Sequence, residues 1–344
     1  MKRDPDMEWI RDLRDKSKAI LQSVIPSHAA ALLDIPTHMN VGDTMIWEGE
    51  LSYLAALGIQ IKYTSDIARF DKNLLDDLLP TGPILLHGGG NFGDVWPTFQ
   101  RFREEIVANY PRRTIIQLPQ TVRFSDEGGY ARANSLFGRH RDFTLLVRDT
   151  KSLSDVKTYM PDVNVQYCPD MAFGLNVGEY PSSSSRTAQH DITVLGRTDP
   201  EKKVDLAGIG QFTTDWGLSG AQKLKWTASR IPGSLFRRTR SSVAQRALYT
   251  PLTRGYRTMR KLNLASGIET VQSGRLLVTD RLHAHILAGL LNKPHVVLDN
   301  NYGKIYSIYA DYSGKFQSSH FARSRSEALM LVRALLTEVQ DSEQ

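Results

Sequence analysis

Short apolar runs alternate with segments whose apolar positions recur at helical spacing through the first half of the chain. Residues 31–34 predict a buried strand, and residues 44–57 carry apolar side chains three and four apart and stop at Gly58, as a helix does. By the same criteria further strands are predicted at 59–63, 84–86, 114–117, 144–147 and 163–165, with helices at 97–109, 128–137 and 152–159. Repeated strand–helix–strand units predict a parallel sheet covered on both faces.

A second α/β unit is predicted after a change in composition. Residues 181–186 read Pro-Ser-Ser-Ser-Ser-Arg and predict a linker, after which apolar strand patterns return at 191–196, 276–278 and 295–298. The fold class is therefore α/β, with two Rossmann-like domains facing a cleft. The predicted division is an N-terminal extension (1–27), a first domain (28–180), a linker (181–190), a second domain (191–324) and a C-terminal helix (325–344).

The cysteine content and the hydropathy of the chain indicate the compartment in which we expect the protein. Cys168 is the only cysteine, which excludes an internal disulfide and fits a reducing compartment; a buried structural thiol and a nucleophile both remain open for it. No secretory signal and no run of about 18 apolar residues is present. We therefore expect a cytoplasmic protein whose membrane contacts, where present, are peripheral.

The net charge of +6 is concentrated in one segment. Residues 216–268 contain eleven Lys or Arg and no Asp or Glu, so the rest of the chain is net negative. This basic segment fits a solvated face with a mobile loop. Interleaved apolar residues (Trp226, Ile231, Leu235, Phe236, Leu248, Tyr249 and Leu252) also favour docking to an anionic lipid surface or phosphate. Nucleic acid is the least favoured partner, since no recognition motif is present.

Polar residues follow several predicted strands at the edge where α/β sheets bind ligands. One group runs from His38 through Asn40 to Asp43, and another reads His87-Gly88-Gly89-Gly90-Asn91-Phe92-Gly93-Asp94. The glycine run matches neither the dinucleotide-binding fingerprint nor a Walker A loop, and it predicts either a tight turn or a backbone that approaches a ligand. Three further strand ends carry Gln120, Arg148 with Asp149, and Arg197 with Asp199. Each arginine is a candidate for the cleft or for an ion pair.

The sequence Asp280-Arg281-Leu282-His283-Ala284-His285 predicts a strand running into a helix start. Free backbone N–H groups and the positive end of a helix dipole beside Arg281 suit a phosphate or carboxylate. His283 adds an imidazole that can carry a proton. His285 points elsewhere on the helix and is interpreted as structural. No spacing typical of a metal site is present.

Together these elements resemble the polysaccharide pyruvyl transferase family. The matching pieces are Asn40-Val41-Gly42-Asp43, Gly88 through Asp94, Pro119-Gln120, Arg148-Asp149, Arg197-Thr198-Asp199, Asp280-Arg281-Leu282-His283 and Asn300-Asn301-Tyr302-Gly303-Lys304. The resemblance covers about residues 28–320, with Met39 standing where many members have glycine. It implies a fold similar to GT-B glycosyltransferases, phosphoenolpyruvate as donor, and a pyruvate ketal on two hydroxyls of a sugar in an exopolysaccharide or cell-surface glycan precursor.

The resemblance also suggests roles for individual residues. Arg148, Arg281, Leu282 and His283 correspond to donor-binding positions. We expect His283 to act as acid and base, with Asp43 and Asp94 orienting or deprotonating acceptor hydroxyls or else capping helices. The remaining acceptor-side or loop candidates are Asn40, His87, Gly89, Gly90, Asn91, Gln120 and Arg197.

Partners follow from the same interpretation. They are phosphoenolpyruvate, a sugar or lipid-linked oligosaccharide, and an anionic membrane surface, with no cofactor, metal or nucleic acid. Two alternatives remain: a GT-B glycosyltransferase using a nucleotide sugar, and a non-catalytic, basic membrane-docking protein.

Overall fold

A computed structural model describes residues 5–180, 188–198, 203–239, 241–299 and 303–342, with side chains to residue 337. Parts of three sequence patterns lie outside these residues: most of the predicted linker (181–187), Asp199, and the stretch 300–302.

Twelve strands in the described residues form two sheets, and every strand pair is parallel. The first sheet contains β1 Ala29–Leu33, β2 Gln60–Ser65, β3 Ile84–Leu86, β4 Gly89–Gly93, β5 Ile115–Arg123, β6 Phe143–Val147 and β7 Asn164–Tyr167. The second contains β8 His190–Leu195, β9 Phe212–Thr214, β10 Gly274–Thr279, β11 His295–Leu298 and β12 Ser319–Ala322. The order is β2-β1-β3-β5-β6-β7 with β4 beside β5, and β12-β11-β10-β8-β9. The predicted mixed α/β fold with parallel sheets is confirmed.

Helices connect the strands of both sheets. They are α1 Pro5–Val24, α2 Val41–Ala56, α3 Lys72–Leu78, α4 Pro97–Asn109, α5 Glu127–Phe137, α6 Thr150–Tyr159, α7 Gly220–Ser229, α8 Ile231–Arg238, α9 Ser242–Gln272, α10 Leu282–Leu290, α11 Lys304–Asp311 and α12 Arg325–Ser342. Short 3₁₀ helices occur at Ile67–Arg69, Met171–Gly174, Val177–Glu179 and Ser313–Lys315. Among the described helices, none is long and apolar enough to cross a membrane.

The two sheets share buried apolar contacts. Helix α2, which follows β1 of the first sheet, packs against α10, which follows β10 of the second, and both contact α9. One buried cluster contains Met45 of α2, Leu264 of α9 and Leu287 of α10. The division into domains facing a cleft goes further than two parallel sheets and stays a prediction.

The N-terminal extension contains a helix that packs on the body of the protein. Ile10, Leu13 and Leu21 of α1 are buried, although the mixed charges around them gave no strong apolar signal in the sequence. Trp9 Nε1 donates to the Tyr312 carbonyl at 3.0 Å, and Arg14 Nε donates to the Phe173 carbonyl at 2.7 Å. Helix α1 therefore fastens segments from both halves of the chain.

The basic segment is mostly helical, and this corrects the expectation of a mobile loop. Trp226, Phe236 and Leu252 are buried in the core, so these three do not belong to a docking surface. Helix α9 lies against the first sheet: the Tyr249 hydroxyl accepts from the Thr64 N–H at 2.7 Å, and the Tyr256 hydroxyl donates to Asp66 at 3.2 Å. The segment is thus in large part a structural element.

The glycine run continues into a short strand rather than forming only a loop. Strand β4 pairs with β5 from Gly89 to Gly93. Gly93 has φ = +134°, and a Cβ there would lie 1.6 Å from the Arg123 carbonyl oxygen. Position 93 therefore requires glycine.

Candidate active site

A cavity of about 320 Å³ is bordered by residues that follow strands of both sheets. Its lining comprises Asp34, Pro36, His38, Asn40, Asp43, His87, Gly88, Gly90, Asn91, Trp96, Phe99, Arg148, Arg197, Trp216, Arg281, Leu282, His283, Lys304 and Ile305. Parallel strands bring their carboxyl ends to one edge, and helices that begin there point their N-termini at it. Most of the site residues predicted from the sequence meet in this pocket.

Asp170 joins a side chain from each half of the chain. Its Oδ2 accepts from Arg148 NH1 at 2.5 Å and lies 3.5 Å from His283 Nε2. Burial alone would raise the pKa of Asp170, but the Arg148 guanidinium and the His283 imidazole hold it well below its usual range. The carboxylate therefore stays charged and fixes both donor-site candidates.

Arg281 is held at the start of α10, directly after β10. Its backbone N–H donates to Thr279 Oγ1 at 3.0 Å, and its guanidinium pairs with Asp215 at 2.5 Å. Leu282 is buried beside it in the pocket wall. On the neighbouring strand end, the Arg197 N–H donates to Asp280 Oδ1 at 2.8 Å, which ties that loop to the same helix start.

Asn40 and Asp43 shape the N-terminus of α2. Asn40 Oδ1 caps the helix by accepting from the Gly42 N–H at 2.9 Å, and Asn40 Nδ2 donates to Asp43 Oδ2 at 2.9 Å. Burial would raise the pKa of Asp43, but nearby imidazoles, first that of His38 and then that of His283, lower it. Asp43 is therefore an ionised hydrogen-bond acceptor at the pocket.

Gly42 allows α2 to lie close to the catalytic candidate. A Cβ at this position would come 2.6 Å from His283 Nδ1 and 3.0 Å from its Cγ. Since the helix backbone restricts the imidazole ring on one side and Asp170 faces it on the other, the orientation of His283 is fixed by the first half of the chain.

A buried charged group lies behind the pocket wall. His87 Nδ1 is 2.8 Å from Glu50 Oε2, and the other carboxylate oxygen accepts from the Gly88 N–H at 2.8 Å. Burial would lower the pKa of His87, but the Glu50 carboxylate raises it. Next to this pair, burial raises the pKa of Asp34 to about 7, although Arg103 NH2 lies 3.6 Å from Asp34 Oδ2. The raised pKa values favour a protonated carboxyl at Asp34 and a protonated imidazole at His87.

The glycine-containing segment brings two cations together. A Cβ at Gly90 would lie 2.3 Å from Lys304 Nζ and 2.9 Å from Arg148 NH2, so a side chain at this position would displace the ends of these two cations. Gly89 and Gln120 do not line the pocket; Gln120 Nε2 donates to Asn91 Oδ1 and to the His87 carbonyl, each at 3.0 Å. These two residues therefore lie behind residues that line the pocket and support them.

Asp94 is not brought to the pocket. Its Oδ2 accepts from the Ser125 N–H at 2.7 Å, so the catalytic role suggested by its place after the glycine run has no support in this geometry. His285 is fully buried with Nδ1 2.7 Å from His295 Nε2, in agreement with a structural role. Burial raises the pKa of the Cys168 thiol to about 12, which opposes a nucleophilic role.

Sequence reasoning missed several groups that line the pocket or hold its lining residues in place. Asp170 follows β7 by three residues and Asp34 follows β1 directly, so their positions at strand ends were available signals. Glu50 is a buried acid within an otherwise apolar helix face, which is an equally usable signal. Among the described residues, no cluster of three His, Cys, Asp or Glu is arranged to hold a metal ion.

A larger groove of about 1630 Å³ runs beside α9 and is bordered by Asp215 and Arg257. None of the predicted donor-binding side chains lines it. The smaller pocket, where the arginines and His283 converge, is therefore the candidate active site.

Comparison with known proteins identifies the family of this chain. Residues 40–302 match the family model for polysaccharide pyruvyl transferase. The chain is 28% identical over 298 residues to the putative pyruvyl transferase EpsO of Bacillus subtilis, covering 85% of this chain and 88% of that protein. It is 30% identical over 302 residues to pyruvyl transferase 1 of Schizosaccharomyces pombe, covering 81% and 68% respectively.

A solved structure supports the fold. A functionally uncharacterized protein from Klebsiella pneumoniae superposes with a TM-score of 0.56 at 19% identity, covering 91% of this chain and 99% of that one. At this identity the likeness concerns the fold alone. The family match and the two pyruvyl transferases lead to the functional assignment: the chain belongs to the polysaccharide pyruvyl transferase family and is an enzyme of that class.

Proposed function

We propose that this enzyme transfers the enolpyruvyl group of phosphoenolpyruvate to two hydroxyls of one sugar, forming a pyruvate ketal and releasing inorganic phosphate. The convergence of Arg148, Arg281 and Lys304 on one small pocket supports a donor that carries both a carboxylate and a phosphate. A guanidinium offers five N–H donors, so the arginines can bind oxyanions while remaining paired to Asp170 and Asp215.

The donor site supports distinct contributions from its residues. Arg148 is buried, and its NH2 group points toward Gly90 in the pocket wall. There it can bind the end of the donor that enters the pocket most deeply. The N-terminus of α10 and Arg281 suit the phosphate, because both favour negative charge. Lys304, whose Nζ reaches from the second half to 3.5 Å from the Gly90 carbonyl, adds a further positive charge beside Arg148.

In the proposed reaction, His283 begins as the proton donor. It protonates the methylene carbon of phosphoenolpyruvate as a first sugar hydroxyl adds to the central carbon, and the hydroxyl proton restores His283. The bond from that carbon to the phosphate oxygen then breaks, and a second hydroxyl adds to the resulting oxocarbenium centre while its proton passes to the departing phosphate. The transfer changes no overall oxidation state, so it needs no redox cofactor.

The acceptor is proposed to enter over the N-terminus of α2. Asp43 is ionised there and can accept a hydrogen bond from a sugar hydroxyl. Trp96 borders the same pocket and is about half exposed, which suits packing of a sugar ring against its indole face. The acceptor class we propose is a sugar of an exopolysaccharide or cell-surface glycan precursor, carried on a lipid or free.

The observation that carries this proposal is the Asp170 carboxylate between Arg148 and His283, which assembles an anion-binding group and a proton carrier from two halves of the chain.

We also propose that these halves close on each other as in GT-B enzymes. A cytoplasmic location is proposed as well, since the buried single thiol fits a reducing compartment.

The test is to incubate the purified enzyme with phosphoenolpyruvate and a panel of glycan diols. The expected result is release of one inorganic phosphate for each acceptor whose mass increases by a pyruvate ketal. Transfer of sugar with release of a nucleotide, and none with phosphoenolpyruvate, would instead support the glycosyltransferase alternative.

A further inference from the structure

The two short helices α7 and α8 expose apolar side chains to solvent. Leu224 is 72% exposed, Ile231 is 58% exposed and Leu235 is 49% exposed. The helices follow each other directly, with Arg230 ending α7 and beginning α8. We call Leu224, Ile231, Leu235 and the basic side chains around them the α7–α8 face.

The helical repeat places the exposed side chains of this face on a different side of each helix from the buried side chains. In α8, Ile231, Leu235 and Arg238 are four and three residues apart and share one side of the helix, whereas Gly233 and Phe236 are buried. A Cβ at Gly233 would lie 2.4 Å from Arg69 Nε, so the inner side of α8 touches the protein directly. In α7, Leu224 is about 200° around the helix from the buried Trp226.

The charges on the α7–α8 face have one sign. Its five basic residues are exposed: Lys223, Lys225, Arg230, Arg237 and Arg238. Within the described part of the chain none of them forms an ion pair with an acid; Arg230 stacks over the Trp226 ring at 5.1 Å. By contrast, Arg246 and Arg260 of α9 are paired with Asp77 and Glu48. Acidic partners from the first half of the chain thus neutralise Arg246 and Arg260, whereas the five basic residues of the α7–α8 face have none in the described part of the chain.

We propose that the α7–α8 face docks the enzyme on the surface of a membrane containing anionic lipids. Exposed Leu and Ile side chains insert at the headgroup boundary, and the surrounding Lys and Arg bind the anionic headgroups. An interface between two copies is disfavoured because a two-fold contact would place five unpaired cations against the same five.

The position of this face fits the site. Helix α8 packs on the 3₁₀ helix Ile67–Arg69, which follows β2, and β2 is the neighbour of β1, whose end carries the pocket residue Asp34. The buried side of α8 therefore lies at the carboxyl edge of the first sheet, the edge that also forms the pocket, and the α7–α8 face covers it on the outside. If the proposed reaction holds, this placement brings the pocket to acceptors attached to lipid.

The test is co-sedimentation of the full chain with vesicles of phosphatidylcholine alone or with added phosphatidylglycerol. We expect binding only to the anionic vesicles and release by salt. The double variant R237Q/R238Q should bind about thirtyfold more weakly, given the typical contribution of each basic residue. I231S/L235S should bind at least about tenfold more weakly.

Matched controls are R101Q/R112Q for charge and M330S for an exposed apolar side chain away from this face. They should bind as the unmodified protein does. Absence of vesicle binding, equal binding to neutral vesicles, or equal weakening in the controls would overturn the proposal, as would a dimer that I231S/L235S dissociates. Phosphate release with a water-soluble acceptor, measured on the same variants, keeps failure here distinct from failure of the proposed reaction.

Discussion

Individual residues at strand ends set the chemistry of the pocket. The sequence predicted that Arg148, Arg281 and His283 lie near one another, because each follows a predicted strand and the carboxyl ends of parallel strands meet at one edge. The structure places all three in one pocket. Asp94 follows the glycine run, yet its carboxylate accepts a hydrogen bond from the Ser125 N–H and does not reach the pocket. The sequence does not distinguish these cases, because the direction of a side chain depends on the β4–β5 pairing that only the three-dimensional structure defines.

Replacing His283 by Ala should lower kcat by about 10²- to 10⁴-fold, because positioned proton transfer is lost. Steady-state rates of phosphate release at saturating donor measure this effect. The control is His28→Ala, which alters an exposed imidazole just before β1, at the opposite end of that strand from the pocket residue Asp34. Near-normal turnover in His283→Ala would show that another group supplies the proton.

Asp34→Asn should flatten the dependence of stability on pH. Since burial raises the pKa of Asp34 to about 7, the folded protein keeps a proton that the unfolded chain has lost above about pH 4. Rising pH from about 4 to 7 therefore destabilises the unmodified protein, by up to about 4 kcal/mol from this group. Asparagine also tolerates the φ of +66° at this position.

Thermal or denaturant unfolding across this pH range measures the difference between Asp34→Asn and the unmodified chain. Asp12→Asn, which changes an exposed carboxylate, is the control and should leave the slope as it is. Identical slopes for all three proteins would contradict a raised pKa at Asp34.

At the scale of elements, the regular strands and helices were predictable and the basic segment was not. Helix α4 begins at Pro97 and ends at Asn109, as its pattern predicted, because a proline start and amphipathic spacing are local signals. The 31-residue helix α9 contains Pro251 and many cations, so its local signals were mixed. Its formation depends on contacts such as Tyr256 with Asp66, which are distant in sequence.

Helix α9 also positions the acceptor side of the pocket. Asn263 Nδ2 donates to the His38 carbonyl at 2.9 Å and to Thr44 Oγ1 at 3.1 Å. Asn263→Ala should lower the free energy of unfolding by about 1–3 kcal/mol, because buried acceptors lose their partner. We expect the KM for the acceptor to rise several-fold while the KM for the donor changes little.

Unfolding curves and initial rates with each substrate varied in turn test this role. Thr258→Ala on the same helix removes an exposed hydroxyl that, within the described residues, bonds only to the Arg254 carbonyl, and it should change neither quantity. An equal rise in both KM values would indicate general loosening of the site rather than displacement of the His38 loop.

For the whole molecule, donor binding should stabilise the assembled halves. The pocket is built from both sheets, so a ligand that binds only the folded form raises the free energy of unfolding by about 2.7 kcal/mol at a hundredfold excess over its Kd. Phosphoenolpyruvate should therefore raise Tm by several degrees in the unmodified enzyme. Arg281→Gln should lose most of that shift, whereas Arg132→Gln, an exposed control, should keep it.

Differential scanning calorimetry with phosphoenolpyruvate provides this measurement, with inorganic phosphate as a comparison ligand. An undiminished shift in Arg281→Gln would remove this arginine from the donor site. A shift from phosphate as large as that from phosphoenolpyruvate would show that the carboxylate contributes nothing to binding.

The buried residues at the base of the pocket are held more firmly than the exposed residues at its rim. Arg148 and Asp170 are 1% exposed and bonded on several sides, whereas the His38 side chain is 47% exposed and Trp96 is 48% exposed. Substitutions at exposed loop positions usually cost little stability, while those in buried ionic groups cost much. Under the proposed function, substitutions at the exposed rim should change which glycan is accepted while the buried ionic groups below stay intact. Libraries confined to positions 38 and 96 are therefore expected to redirect this enzyme toward new sugars.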